Sequence, residues 1–66
     1  NQVQRLLDGL TQREKEVMER VVAGRHNREI AAELAISPRT VEVHKARMMD
    51  KLGVGSVAEL VRLSLG

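Results

Sequence analysis

The sequence contains no cysteine and none of the aromatic residues Phe, Tyr and Trp. Without cysteine the chain forms no disulfide, no cysteine-based zinc site and no thiol nucleophile. Without aromatic side chains it lacks the usual stacking partners of single-stranded nucleic acids and RNA loops. The two histidines, His26 and His44, are 18 positions apart and make no pair on one helix face. We therefore expect neither a metal nor a cofactor.

Long apolar runs and a signal peptide are also absent from the 66 residues. No segment approaches the ~18 apolar residues that span a membrane, and no secretory leader is visible. We therefore expect a cytoplasmic protein without membrane contact, and a single small domain. Because the chain does not begin with Met, we expect it to be a piece of a longer protein whose other part carries the regulation.

The excess of positive charge lies entirely in the middle of the chain, although the formal net charge is only +2. Residues 1–23 hold four positive and four negative side chains, and residues 56–66 hold one of each. Residues 24–55 hold six positive and four negative side chains. A basic segment of this kind is expected of a nucleic-acid-binding protein.

Apolar periodicity and helix-capping signals predict an all-α fold. We assign residues 1–9 to a linker or helix end and residues 10–66 to a four-helix domain. The first helix begins at Thr11, which forms a capping box with Glu14, and Gly24 ends it. The second helix is short, and Asn27 is its predicted N-cap.

The third helix has the clearest start in the sequence, because Ser37 is a good N-cap and Pro38 suits the first helical position. It is predicted over residues 38–52, and Gly53 ends it. The fourth, C-terminal helix opens with a second capping box, formed by Ser56 and Glu59, and runs to about residue 65.

The second and third helices have the pattern of a helix-turn-helix at the centre of the domain. The residues that fit this pattern are Ile30, Ala31, Leu34, Ile36, Val41 and His44. Shared apolar contacts would hold the two helices at a steep angle and leave one face of the helix 38–52 free for the major groove. We predict a structural role for His44, and core positions for Met48 and Met49.

The free face of the third helix carries groups suited to reading base edges: guanidinium for guanine, carboxylate for cytosine and small apolar groups for thymine. The predicted base contacts are Arg39, Glu42, Val43, Ala46 and Arg47. Other polar side chains, together with free amides at the helix N-termini, are better suited to phosphates. The predicted phosphate contacts are Asn27, Arg28, Thr40 and Lys45.

The fourth helix has a wide apolar arc, which indicates two partners, its own core and a second chain. The alternative is that a domain of 66 residues needs the whole arc for its own core. The predicted dimer contacts are Val57, Leu60, Val61 and Leu63. A homodimer on DNA would require two half-sites related by two-fold symmetry.

Four motifs in order resemble LuxR-type DNA-binding domains over about residues 10–65. They are Leu10-Thr11-x-Arg13-Glu14-x-Glu16-Val17, Asn27-x-x-Ile30-Ala31, Ile36-Ser37-x-x-Thr40-Val41-x-x-His44 and Lys51-Leu52-Gly53-Val54. The stretch from Ser37 to His44 is especially similar to the FixJ branch of response regulators, to which the NarL-like proteins are related.

The resemblance implies a transcription regulator of a two-component system, with an N-terminal receiver domain before this DNA-binding output domain. It also implies that phosphorylation relieves inhibition and favours dimers, with the dimer contact commonly on the last helix. The sequence departs from the pattern at three positions. Ala35 stands where many helix-turn-helix units have Gly, and Glu42 and Ala46 replace Lys of NarL-like relatives, whose base contacts there cannot be carried over.

Three other classes of function are less favoured by the sequence. A helical protein-interaction module without DNA binding is the main alternative, and its binding would depend little on salt. A sigma-factor-like domain would also use a helix-turn-helix, but the first and last motifs favour the LuxR type. An enzyme is least favoured, because the sequence shows no catalytic triad, glycine-rich phosphate loop or metal cluster.

Overall fold

A computed structural model describes residues 2–65 of the chain, and the regular structure of this part is entirely helical. The helices are α1 (Gln2–Asp8), α2 (Gln12–Val22), α3 (Asn27–Leu34), α4 (Pro38–Leu52) and α5 (Val57–Leu65). The predicted all-α class is confirmed, and α2 to α5 correspond to the four predicted helices. Residues 1 and 66, at the ends of the ranges predicted for the linker and the domain, lie outside the described residues.

The segment predicted as a linker or helix end forms the additional helix α1. Its side chains Leu6 and Leu7 are partly buried against the core, and α1 packs on α4. The helix ends at Asp8, and the N–H of the next residue, Gly9, donates to the carbonyls of Arg5 and Leu6 at 3.3 and 3.2 Å. The amino-terminal segment is therefore attached to the same helix that was predicted to read DNA. Within residues 2–65, every helix is too short or too polar to cross a bilayer.

Side-chain caps fix where α2 and α4 begin. Glu14 N–H donates to Thr11 Oγ1 at 3.1 Å, and Thr11 N–H donates back to Glu14 Oε1 at 3.0 Å, so the predicted capping box is confirmed. Ser37 is confirmed as the N-cap of α4, since its Oγ accepts the N–H of Thr40 at 3.1 Å. Pro38 is the first residue of α4, as predicted.

The start of α3 differs from the prediction by one residue. Its N-cap is His26, and Asn27 is already helical, so the prediction that Asn27 caps this helix was wrong. The physical reason is the carboxylate of Glu29, whose Oε1 accepts the N–H of His26 at 2.9 Å. This hydrogen bond satisfies an otherwise orphaned amide one residue earlier than expected.

A single apolar core holds α4 against the other helices. α4 packs on α1, α2 and α3, and α2 also packs on α3 and α5. The buried apolar side chains are Leu10, Val17, Val21, Ile30, Ala31, Val41, Met48, Leu52 and Leu60. Met48 is fully buried and Met49 is partly buried against this core, in agreement with the prediction. The core thereby sets the orientation of α4 and leaves its opposite face in solvent.

The turn between α3 and α4 stores backbone strain at Ala35. This residue caps the carboxyl end of α3 at φ 56° and ψ 42°, in the left-handed region. A side chain with a Cβ costs about 1 kcal/mol there compared with glycine. Ile36 N–H nevertheless donates to the Ala31 carbonyl at 3.0 Å, so the turn closes as a helix-turn-helix requires.

One buried carboxylate ties the start of α2 to the end of α4. Glu14 is only 3% exposed, and its Oε1 accepts Lys51 Nζ at 2.7 Å in addition to the amide of Thr11. The hydrogen bond from Lys51, followed by that from the Thr11 backbone, lowers the pKa of Glu14 from its ordinary value of 4.5. Burial acts in the opposite direction but does not prevail.

Replacing Glu14 with Gln should lower the free energy of unfolding at pH 7 by about 1 kcal/mol. A charged hydrogen bond contributes more than this in buried sites, but Lys51 is 41% exposed, so solvent screens the pair. Because the folded-state pKa is lowered, the stabilisation is complete above pH 4.5 and is lost as the pH falls through the folded pKa.

Urea unfolding followed by circular dichroism at neutral and acidic pH tests this assignment. The difference between wild type and Glu14→Gln should shrink in acid. Glu59→Gln is the matched control, because this carboxylate is exposed and its Oε2 accepts, within residues 2–65, only the N–H of Gly55, at 2.9 Å. A Glu14→Gln difference that stays constant or grows in acid would contradict the role assigned to the carboxylate.

Candidate nucleic-acid interface

The first three turns of α4 present the residues predicted to read bases. The side chain of Arg39 is 84% exposed and that of Glu42 is 55% exposed. Ala46 and Arg47 are exposed, and Val43 is half-buried. The structure therefore brings all five predicted base-reading residues together on one helix face, opposite the buried side of α4.

Two of these side chains form an ion pair. Arg39 Nη1 lies 3.5 Å from Glu42 Oε2, across one turn of α4. Thr40, between them in sequence, is half-buried, and its Oγ1 lies 2.9 Å from Ser37 Oγ. The hydroxyl of Thr40 therefore belongs to the helix cap, next to the free amides at the start of α4.

A groove of about 350 Å³ separates the start of α3 from the outer face of α4. Its lining residues are Asn27, Glu42, Lys45, Ala46 and Met49. The predicted phosphate contacts Asn27 and Lys45, which are 18 positions apart in sequence, are thus neighbours of the predicted base contacts Glu42 and Ala46.

A larger open groove of about 670 Å³ lies on the other side of Asn27 and Lys45. The loop before α3 and the start of α5 complete it, with lining residues Val21, Gly24, Arg25, His26, Asn27, Arg28, Glu29, Lys45 and Val57. Arg25 is engaged with carboxylates, since its Nη1 lies 3.8 Å from Glu29 Oε2 and its Nε 3.6 Å from Glu33 Oε2.

Three cations on this side of the molecule have no carboxylate partner. Within residues 2–65, no ion pair involves Arg28, Lys45 or Arg47. Arg13 and Arg20 on α2 are instead paired, with Glu16 at 3.2 Å and Glu33 at 2.9 Å. Positive charge is therefore left uncompensated beside the outer face of α4, where an anionic ligand can neutralise it.

The predicted dimer surface on α5 needs one correction. Leu60 is 0% exposed and lies in the domain's own core, so its side chain has no surface to offer a second chain. Val57 is 40% exposed, and Val61 and Leu63 are half-buried. Leu65 at the end of α5 is 81% exposed. The apolar surface that α5 exposes to solvent is therefore formed by Val57, Val61, Leu63 and Leu65, without Leu60.

Sequence reasoning missed two residues of the larger groove, Arg25 and His26. A basic residue directly after Gly24 was the available signal. His44 is half-buried on α4, and its predicted structural role stays a prediction.

A helix-turn-helix whose second helix exposes a basic face beside uncompensated cations is the architecture of a DNA-binding domain that enters the major groove. Residues 8–64 match the family model described as bacterial regulatory proteins, luxR family. The chain belongs to this family, as a LuxR-type helix-turn-helix DNA-binding domain. The family assignment agrees with the resemblance found in the four sequence motifs.

Curated relatives extend the comparison. The chain is 48% identical over 65 residues to the transcriptional regulatory protein FixJ of Azorhizobium caulinodans, covering 98% of this chain and 31% of that protein. It is 53% identical over 55 residues to the transcriptional regulatory protein UhpA of Escherichia coli, covering 83% and 28%. The chain thus spans about a third of the length of the relatives it matches.

Solved structures show the same fold. The response regulator StyR superposes with a TM-score of 0.92 at 43% identity, covering 96% of this chain and 32% of that one. Full-length FixJ from B. japonicum superposes with a TM-score of 0.92 at 44% identity, covering 97% and 32%.

Proposed function

We propose that this chain binds double-stranded DNA sequence-specifically, with the outer face of α4 in the major groove, as the output domain of a transcription regulator. The observation that carries the proposal is the exposed face of α4 with Arg39, Glu42 and Arg47, flanked by cations that have no carboxylate partner within residues 2–65. Phosphate neutralisation supplies most of the affinity of such a domain, and base-edge contacts supply its specificity.

The proposed contacts divide into two groups. Arg39 and Arg47 reach guanine, Glu42 faces a cytosine amine, and Val43 and Ala46 pack near a thymine methyl group. Asn27, Arg28 and Lys45 bind phosphates along the two grooves beside α4, and Thr40 binds a phosphate at the start of this helix. This division fits the positions of the side chains, since the first group lies on the exposed helix face and Asn27, Arg28 and Lys45 line its borders.

We further propose that the domain, residues 10–66, follows a receiver domain in a longer response regulator and dimerises on DNA. The named relatives FixJ and UhpA are about three times as long as the matched segment, and StyR is described as a response regulator. Val57, Val61 and Leu63, extended by Leu65, form the proposed contact between the two copies. Two-fold symmetry would then place two α4 helices in successive major grooves.

Selection from pooled random duplexes, at two salt concentrations, tests the proposal. The wild-type chain should enrich a motif with two-fold symmetry and bind it less tightly at higher salt. Arg47→Ala should reduce the discrimination against the wrong base, at one base pair of each half-site, by about 1–3 kcal/mol.

Arg28→Ala is the matched control, because it also removes one arginine without an ion-pair partner in residues 2–65. It should weaken binding to all sequences alike and reduce the salt slope by about 1. No enriched motif and no salt dependence would instead favour a protein-interaction module.

A further inference from the structure

The first turns of α4 place opposite charges side by side on the proposed base-reading face. Arg39 Nη1 and Glu42 Oε2 are 3.5 Å apart, and the side chains are 84% and 55% exposed. Within residues 2–65, neither group has another ion-pair partner. Glu42 shares a groove with Lys45 but pairs with Arg39, so Lys45 keeps its charge available for a phosphate.

A carboxylate facing DNA is selective because few groups on the DNA can donate a hydrogen bond to it. Phosphates repel it, and in the major groove only the amines of cytosine and adenine donate hydrogen bonds. The adenine amine lies beside the N7 acceptor of the same base, which also repels a carboxylate, whereas the cytosine edge presents only its N4 amine. A guanidinium has the opposite requirement and prefers the two acceptors O6 and N7 of guanine.

We infer that Arg39 and Glu42 read DNA as one unit, selecting a guanine and a cytosine within one base-pair step of each other. The inference rests on the proposed function and names the base pairs that part of this site selects. The separation of 3.5 Å between the charged groups is close to the 3.4 Å rise between successive bases. The two side chains can therefore stay paired while each contacts a base edge.

The pairing also has a cost in non-specific affinity that makes the inference testable. Glu42 neutralises Arg39, so the pair releases no counterions on average. It also holds the guanidinium on the base-reading face, away from phosphates. Removing the carboxylate charge should therefore strengthen binding to random DNA and steepen the salt slope by ~0.9, as expected for one added phosphate contact.

The experiment is selection from random duplexes with the wild-type chain, Arg39→Ala, Glu42→Gln and Asp50→Asn. Asp50 is exposed near the other end of α4, so Asp50→Asn changes the net charge equally without touching the first turns. The positions relaxed in Arg39→Ala identify the guanine. Glu42→Gln should reduce the cytosine preference about 10-fold, weaken the guanine preference as well, and increase affinity for random DNA. Asp50→Asn should leave the motif unchanged.

The outcomes separate this inference from the proposed function. A wild-type chain that enriches no motif rejects the proposed function, and the inference falls with it. A wild-type motif that Glu42→Gln reproduces unchanged overturns the inference alone. Relaxed positions in Arg39→Ala and Glu42→Gln that lie more than one base-pair step apart also overturn it, because the side chains then read independently.

Discussion

Replacing Ile30 with Ala should lower the free energy of unfolding by about 2–5 kcal/mol. Ile30 is 0% exposed and belongs to α3, a helix of eight residues that is too short to be stable by itself. Its burial holds α3 in the core against which α4 packs. A domain of this length has a total stability of roughly 3–10 kcal/mol, so the substitution removes a large part of it.

The measurement is urea unfolding followed by far-ultraviolet circular dichroism, because the chain has no aromatic fluorophore. Leu65→Ala is the matched control, since it also truncates an aliphatic side chain, but one that is 81% exposed. It should change stability by less than ~0.5 kcal/mol. An Ile30→Ala variant as stable as this control would show that α3 is not held by the core described above.

A consequence for DNA binding follows from the same packing. α4 owes its orientation to Val41, Met48 and Leu52 on its buried side, and the turn through Ala35 fixes its angle to α3. We therefore expect Ile30→Ala to weaken DNA binding in proportion to the fraction unfolded, without changing the preferred motif. Substitutions on the exposed face of α4 should change the preferred motif without changing the fraction unfolded.

Local signals in the sequence were sufficient at most places where side chain and backbone interact within one turn. The exception is the start of α3, where Glu29 accepts the N–H of His26 and the cap lies one residue before the predicted Asn27. The caps at Thr11 and Ser37 and the end of α4 at Gly53 involve neighbours three or four residues apart, so their residue types identify them. The buried side of α4 followed from helical periodicity. The residues of α4 that do not belong to this buried side were predicted to be exposed, and they include the predicted base-reading residues.

The other errors lie where contacts between distant segments decide the structure. α1 has only Leu6 and Leu7 as apolar anchors, and it is held by packing on α4, which local propensity does not report. The apolar arc of α5 was too wide to tell its core side from its open side. Leu60 was therefore assigned to a dimer surface, although α5 buries it in the domain's own core.

The pairing of Lys51 with Glu14 joins positions 37 apart in the sequence. Thr11 and Glu14 were recognised as a capping box, but the third partner arrives only when the end of α4 folds over the start of α2. The same holds for the meeting of Asn27 with Glu42 and Lys45 along one groove. Which side chains share a groove between helices depends on the angle at which the helices cross.

The second large effect concerns the groove of DNA that α4 is proposed to enter. Methylation of guanine N7 blocks an acceptor in the major groove, whereas methylation of adenine N3 changes only the minor groove. If Arg39 and Arg47 each contact a guanine bidentately, methylation of one N7 should weaken the binding free energy of the chain by about 1–3 kcal/mol. That corresponds to a loss of affinity of roughly 5- to 150-fold.

The measurement that tests the central claim most directly is therefore methylation interference on the duplex that the wild-type chain enriches. We predict interference at guanine N7 positions in each half-site and none at adenine N3. In Arg47→Ala, the interference at one guanine per half-site should disappear, because the contact that methylation blocks is already absent. Interference at adenine N3 with no effect of N7 methylation would place the chain in the minor groove and contradict recognition by α4.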